Sequence, residues 1–272
     1  MKNQLKEIID IKLSRDENIN RIREFIQKYL LYVLYRGKVF QNLVFTGGTA
    51  LRFLYNTRRY SEDLDFSLSL KSQNYDFLKL LSLLKRELDL AGYDLEIKHS
   101  IESNVHSAFL KFTGLLYEYQ LSPLKGEKFS IKLEVDINPP LGGKEEVDSY
   151  NSGFMFSILH FDLASLFAGK LHALLCRRFT KGRDWYDLLW YLTKFKDIEP
   201  NFTMLNNAVE QGCREDIGFI NQDNWKEKLE KEVKKLEIEK VKNDVYIFLE
   251  DKSEINLLNK ENLLKLLSKK DY

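Results

Sequence analysis

Cysteine is nearly absent from this 272-residue sequence: only Cys176 and Cys213 occur, far apart and outside any CxxC spacing. Neither a disulfide framework nor a zinc knuckle is expected, and a reducing cytoplasm is the default compartment. The histidines His99, His106, His160 and His172 lack metal-ligand spacing, which argues against a zinc site. His106 and Cys176 read as structural. No GxSxG, Walker A or GxGxxG motif occurs, so the common hydrolase, P-loop and dinucleotide-binding readings lose their usual support. No uncharged apolar run reaches the roughly 18 residues of a membrane-spanning helix. The opening MKNQLKEIID carries charges where a signal peptide needs an apolar core, so a soluble cytoplasmic chain is expected. Excess charge of one sign is missing too: 42 basic residues against 41 acidic ones leave a net +1. Attraction to a polyanion would have to come from a local patch.

What is present is an ordinary core, with 44% hydrophobic and 13% aromatic residues, enough for one large domain or two moderate ones. Ile22, Phe25, Ile26, Tyr29, Leu30 and Val33 fall at helical spacing and predict a helix over 17–36. Leu43-Val44-Phe45 reads as a buried strand closed by Gly47-Gly48, with a short helix from Ala50 to Tyr55. A strand over 64–68, a helix over 75–91 and strands within 93–99, 105–112 and 129–137 follow. Ile131, Leu133, Val135 and Ile137 alternate with Lys132, Glu134, Asp136 and Asn138, and Pro139-Pro140 end the strand. Leu141–Gly153 reads as a linker or loop. From Asp162 onward the pattern is helical, near 162–178, 183–195, 202–212, 223–249 (broken) and 258–269. The expected class is α+β, an α/β domain over 1–155 and a helical domain over 156–272.

Asp63 and Asp65 are the first candidates for chemistry. Residues i and i+2 of a strand share a face, so the two carboxylates stand side by side while Leu64 and Phe66 enter the core. Adjacent carboxylates repel unless a cation neutralises them, and oxygen-only ligands suit Mg²⁺ or Mn²⁺. Upstream, Gly47-Gly48-Thr49 joins a buried strand to a helix, a turn whose amides can approach phosphate oxygens. Glu134 or Asp136 on the polar face of the later strand can supply a third acid; Asp136 ranks first because it lies nearer the strand end. Lys170 shares an apolar helical stripe with Leu163, Phe167 and Leu174, so its ammonium must either snorkel to water or meet an anion. Asp184 shares a stripe with Leu188, Tyr191 and Phe195, in a first turn where the helix dipole or capping favours a carboxylate. Asp187, one turn later, is placed to pair with Arg183. Arg177-Arg178-Phe179-Thr180-Lys181-Gly182-Arg183 is the one dense basic loop, suited to a triphosphate, an RNA backbone or solvent.

The combination FTGGTALRFLY and RRYSEDLDFSL, followed by LFAGKLHALLCRR and KGRDWYDLLWYL, resembles the ordered motifs of the AbiEii/AbiGii-type nucleotidyltransferase toxins, related to the MenT toxins. The resemblance covers residues 43–192. It implies the DNA-polymerase-beta-like nucleotidyltransferase fold, a mixed sheet with flanking helices, followed by a helical C-terminal portion. It also implies that Gly47, Gly48 and Thr49 line the nucleotide phosphates and that Asp63 and Asp65 bind the metal. Lys170 matches the family's active-site lysine and Asp184 its later essential aspartate. Arg59 and Ser61 belong to the lead-in of the aspartate motif and are expected near the nucleotide. Thirteen residues separate Thr49 from Asp63, a longer gap than in the wider superfamily but one typical of this branch.

The expected reaction is therefore Mg²⁺-dependent transfer of a nucleoside monophosphate from a triphosphate to an acceptor hydroxyl, an RNA (tRNA) end in a toxin–antitoxin setting with a partner antitoxin. An antibiotic or protein hydroxyl is the alternative acceptor. A nucleotide-binding module without catalysis is the alternative from another class.

Overall fold

The computed structural model describes residues 2–195, 197–213 and 217–268. Residue 269 of the last expected helix lies outside them. The chain divides into two compact units: residues up to Tyr55, Tyr60–Pro139 and Glu146–His160 form the first, while Asn56–Arg59, Pro140–Glu145 and the chain from Phe161 form the second.

The first unit is built on a seven-stranded mixed sheet. Its strands are β1 (Leu43–Thr46), β2 (Leu64–Leu68), β3 (Leu95–Ser100), β4 (Val105–Phe112), β5 (Phe129–Asp136), β6 (Glu145–Asn151) and β7 (Met155–Phe161), in the order β3-β4-β5-β2-β1-β7-β6. The helices are α1 (Lys2–Ile8), α2 (Arg15–Arg36), α3 (Gly47–Tyr55), α4 (Phe77–Leu90) and the short α5 (Leu115–Glu118). Ser14 and Glu17 form a reciprocal capping box that starts α2. β5 buries Phe129, Ile131, Leu133 and Val135 and leaves the intervening residues half-buried, the alternation its sequence requires. β2 runs parallel to β5 and antiparallel to β1, which puts the chemistry-bearing strand in the middle of the sheet.

β6 occupies the middle of the loop expected over 141–153, and β7 follows it over a stretch to which the sequence reading gave no element. β6 lies at the sheet edge and buries only Tyr150, so its pairing rests on backbone hydrogen bonds that leave no apolar alternation to read. Phe154 lies just before β7, and Tyr32 of α2 stacks on it with centroids 5.5 Å apart.

The second unit is helical: α6 (Leu163–Cys176), α7 (Gly182–Lys194), α8 (Phe202–Gly212), α9 (Trp225–Lys235), α10 (Ile238–Tyr246) and α11 (Lys260–Leu267). Phe167 of α6 stacks on Tyr191 of α7 at 4.3 Å, with Trp225 edge-on to Phe167. The long expected helix over 223–249 is two, divided at Leu236 and Glu237. Contrary to the expectation from cysteine spacing, Cys176 at the end of α6 and Cys213 after α8 form a disulfide, with Cα atoms 4.9 Å apart. Helices α7 and α8 lie between the two cysteines in sequence and bring them back together, which spacing along the chain does not disclose. Among the described residues, no helix is long and apolar enough to cross a membrane.

Candidate active site

In the first unit, Leu64 and Phe66 are buried while Asp63 and Asp65 remain half-buried on the other face. β1 ends opposite Asp65, with Thr46 as its cross-strand partner, and the chain turns at Gly47 into α3. Gly47 has φ +76, a left-handed conformation that costs glycine little and other residues much. A Cβ built there would come within 2.9 Å of both Cβ and Cγ of Asp65. The turn and the carboxylate are in direct contact, and the glycine is required twice over.

The segment entering β2 is held from behind. Thr49 is fully buried, and its hydroxyl donates to the carbonyl of Asp63. Gln27 of α2, 1% exposed, donates through Nε2 to the Ser61 carbonyl at 3.2 Å and reaches the Asp63 carbonyl at 3.5 Å. The Thr49 hydroxyl therefore positions the Asp63 backbone. Gln27 had no signal in the sequence beyond lying on the inner face of α2. Ser61 is itself buried, and its carbonyl is the accepting atom in this arrangement.

The register of the sheet distinguishes the two candidates for a third acid by their neighbours. Asp65 pairs with Glu134, and Ser67 pairs with Asp136. Paired residues of adjacent strands project to the same side, so Glu134 stands beside Asp65 and Asp136 is one step further along the strand. Glu134 is ion-paired with Lys132 at 2.7 Å. Asp136 accepts from the Asn138 amide at 2.9 Å, and burial raises its pKa despite that bond. The strand-end position had put Asp136 first; the register, which one strand cannot show, sets Glu134 directly next to Asp65. Asp63 and Asp65 offer oxygen donors, the kind a hard divalent cation takes.

In the second unit the charges expected on apolar stripes meet one another. Lys170 Nζ donates to Asp184 Oδ1 at 3.0 Å and lies 2.7 Å from Asp187 Oδ2. Arg59, 1% exposed, donates to Asp187 through Nε at 2.7 Å and through a terminal nitrogen at 2.6 Å, a bidentate pair. Arg177 of the basic loop donates to the second oxygen of Asp184. Burial would by itself depress the lysine and raise the acid. The opposite charges prevail: Asp187 and Asp184 raise Lys170, while Lys170 and Arg177 bring Asp184 down to about 2. Lys170 is thus a fixed ammonium ion, unsuited to act as a base.

Asp187 corrects the sequence expectation. It is fully buried and pairs with Arg59 and Lys170, where helical spacing had suggested Arg183. Arg183 instead lies over the ring of Phe248, 4.4 Å from its centroid. Arg59 belongs to this cluster although it precedes the aspartate motif by only a few residues. The basic loop lines a pocket of about 320 Å³ in which Arg177, Arg178, Lys181 and Lys235 face Asp184 and Glu232.

Comparison with known proteins bears on both units. A family profile described as nucleotidyl transferase AbiEii toxin, of a type IV toxin–antitoxin system, matches residues 9–261. Among solved structures, a Helicobacter pylori protein proposed to be a nucleotidyltransferase superposes with a TM-score of 0.51 at 19% identity, covering 89% of this chain and 90% of that one. The H. pylori protein JHP933 superposes with a TM-score of 0.50 at 18% identity, covering 89% and 88%. At such identities the likeness is one of fold. Comparison with curated proteins gives no match.

Proposed function

Because the chain belongs to the AbiEii family of toxins and is a nucleotidyltransferase, we propose that it transfers a nucleoside monophosphate from a triphosphate to the hydroxyl of an RNA end, a tRNA first among them. The observation that carries the proposal is the Asp63/Asp65 pair packed against the Gly47 turn, with Glu134 beside Asp65. Asp63 and Asp65 would hold Mg²⁺ or Mn²⁺, with Asp136 or Glu134 as the further acid. When bound, such an ion screens charge on the phosphates and makes the acceptor hydroxyl more acidic.

The residues then divide the work. The Gly47-Gly48 turn opens α3 and offers backbone amides to phosphate oxygens. Thr49 and Gln27 keep the Asp63 backbone in place, so the carboxylates need little reorganisation. The acceptor oxygen attacks the α-phosphorus, the bond to the β-phosphate breaks, and pyrophosphate leaves. Glu134 or Asp136 takes the hydroxyl proton directly or through water. Lys170 has three N–H donors, of which Asp184 and Asp187 engage two. The third is left for an anion, in keeping with the resemblance of Lys170 to the family lysine. Asp184 orients Lys170, and Arg59 fixes Asp187. An RNA acceptor places the reaction in the cytoplasm, and a cognate antitoxin is the partner that would restrain it.

The test is purified protein with Mg²⁺, each labelled nucleoside triphosphate and total RNA. Label on RNA, absent with Asp63→Ala, supports the proposal. Pyrophosphate release with label on protein or a small hydroxyl compound would keep the enzyme and replace the acceptor. Nucleotide binding with no transfer to any acceptor would leave a binding module and sink the proposal.

A further inference from the structure

The second unit gathers three ligand-type side chains that the proposed reaction does not use. His172 and Cys176 are one helical turn apart on α6 and so share a face. α8 brings Cys213 to the same point, and one ligand atom from each of the three residues lies within 4.8 Å of the other two. His172 Nε2 is buried and has no hydrogen-bond partner among the described residues. A buried polar atom without a partner costs free energy, and a ligand would relieve that cost.

We propose that, with its two cysteines reduced, the chain binds one Zn²⁺ through His172, Cys176 and Cys213. The ligand set is one imidazole and two thiolates, the soft and borderline donors that zinc takes at about 2.0–2.3 Å. On a tetrahedral ion the two sulfurs would stand about 3.7 Å apart, a geometry that follows from the zinc–sulfur distance. The fourth position is left to water or an exogenous ligand.

The disulfide and the zinc site are alternatives, because a sulfur bonded to its partner has no thiolate to offer. A dithiol reductant converts one to the other by supplying two electrons and two protons to the disulfide and becoming a disulfide itself. Zinc binding then releases the two thiol protons to solvent, with no change of oxidation state. Either bridge fixes the end of α6, from which the next residue, Arg177, reaches Asp184. Thus one position of the fold has a covalent clamp under oxidising conditions and a metal clamp under reducing ones.

The experiment uses the full chain, reduced with a non-chelating phosphine and freed of metal, titrated with Co²⁺ and then Zn²⁺. One equivalent of Co²⁺ should give thiolate-to-metal absorption in the near ultraviolet, which zinc abolishes by displacement; carboxylate sites give no such band. The oxidised protein should show none. His172→Ala keeps both cysteines and should weaken zinc binding at least tenfold. Thiol titration and a circular dichroism melt establish that this variant is folded and can still form the disulfide. Should His172→Ala fail to fold, His172→Gln serves in the same comparison. Absence of the absorption band in the reduced wild type, or equal zinc affinity in wild type and the folded histidine variant, would overturn the proposal.

Discussion

The carboxylate of Asp65 occupies the space in which a side chain on residue 47 would have to sit, so the strand-to-helix turn and the acid are a single packed unit. Gly47→Ala should therefore do two kinds of damage. A non-glycine residue at φ +76 costs about 1–2 kcal/mol, and the methyl must displace Asp65. We expect a lower melting temperature together with a loss of nucleotide transfer of about a hundredfold or more, the scale on which a misplaced reacting group is felt. Full activity in the alanine variant would show that the contact is dispensable.

The sheet register orders the acids. Asp63→Asn and Asp65→Asn should abolish transfer while leaving the fold intact, since both side chains are half-buried and face away from the core. Glu134→Gln should lose about 10²-fold, as a positioned acid or base does, and Asp136→Asn markedly less. Rates at saturating Mg²⁺ for the two variants decide this, and a larger loss for Asp136→Asn would restore the strand-end acid to first place.

Asp187 is expected to matter most for stability. Replacing it with Ala leaves the Arg59 guanidinium buried without its bidentate partner, a change worth about 3–5 kcal/mol in comparable buried pairs. Urea denaturation should show the loss. A midpoint unchanged within error would mean that other groups take over the charge of Arg59.

The depressed pKa of Asp184 predicts an acid limb. The unfolded carboxyl titrates near 3.9 and the folded one at about 2, so folding is favoured by its ionised form. That contribution is fully present above the unfolded value and disappears as pH falls through the folded one. It is on the order of 2 kcal/mol at neutral pH. Stability measured from pH 5 downward should fall more steeply in the wild type than in Asp184→Asn. Parallel curves would refute the assignment.

The disulfide closes a loop of 37 residues in sequence separation. Chain-entropy reasoning puts its worth at about 3–4 kcal/mol. In the presence of a chelator, reduction should lower the denaturation midpoint accordingly, and Cys176→Ser/Cys213→Ser should be insensitive to reductant. No shift on reduction would mean that the bridge leaves the unfolded ensemble unconstrained.

Much of this was legible beforehand. The strand alternation of 129–137, the buried Leu43-Val44-Phe45 and the helices around Lys170 and Asp184 follow from periodicity, because one-sided burial imposes a period of two or 3.6. The motifs around Gly47, Asp63, Lys170 and Asp184 were sufficient to indicate the family. What escaped was pairing at a distance. β6 gives no apolar alternation because an edge strand is held by its backbone. Asp187 was matched to Arg183, a neighbour in the helix, because helical spacing reveals partners three or four residues away and conceals Arg59.

Local chemistry, then, is what the amino-acid order by itself determined: which segments are strands and helices, which charges lie on apolar faces, and which nucleotidyltransferase motifs recur. Tertiary structure decided who meets whom. It set Glu134 beside Asp65, locked Arg59 onto Asp187, and brought Cys213 to Cys176 and His172. Such contacts depend on strand register and helix packing across tens of residues, where the free energy of the whole core selects the partner and no local period records it.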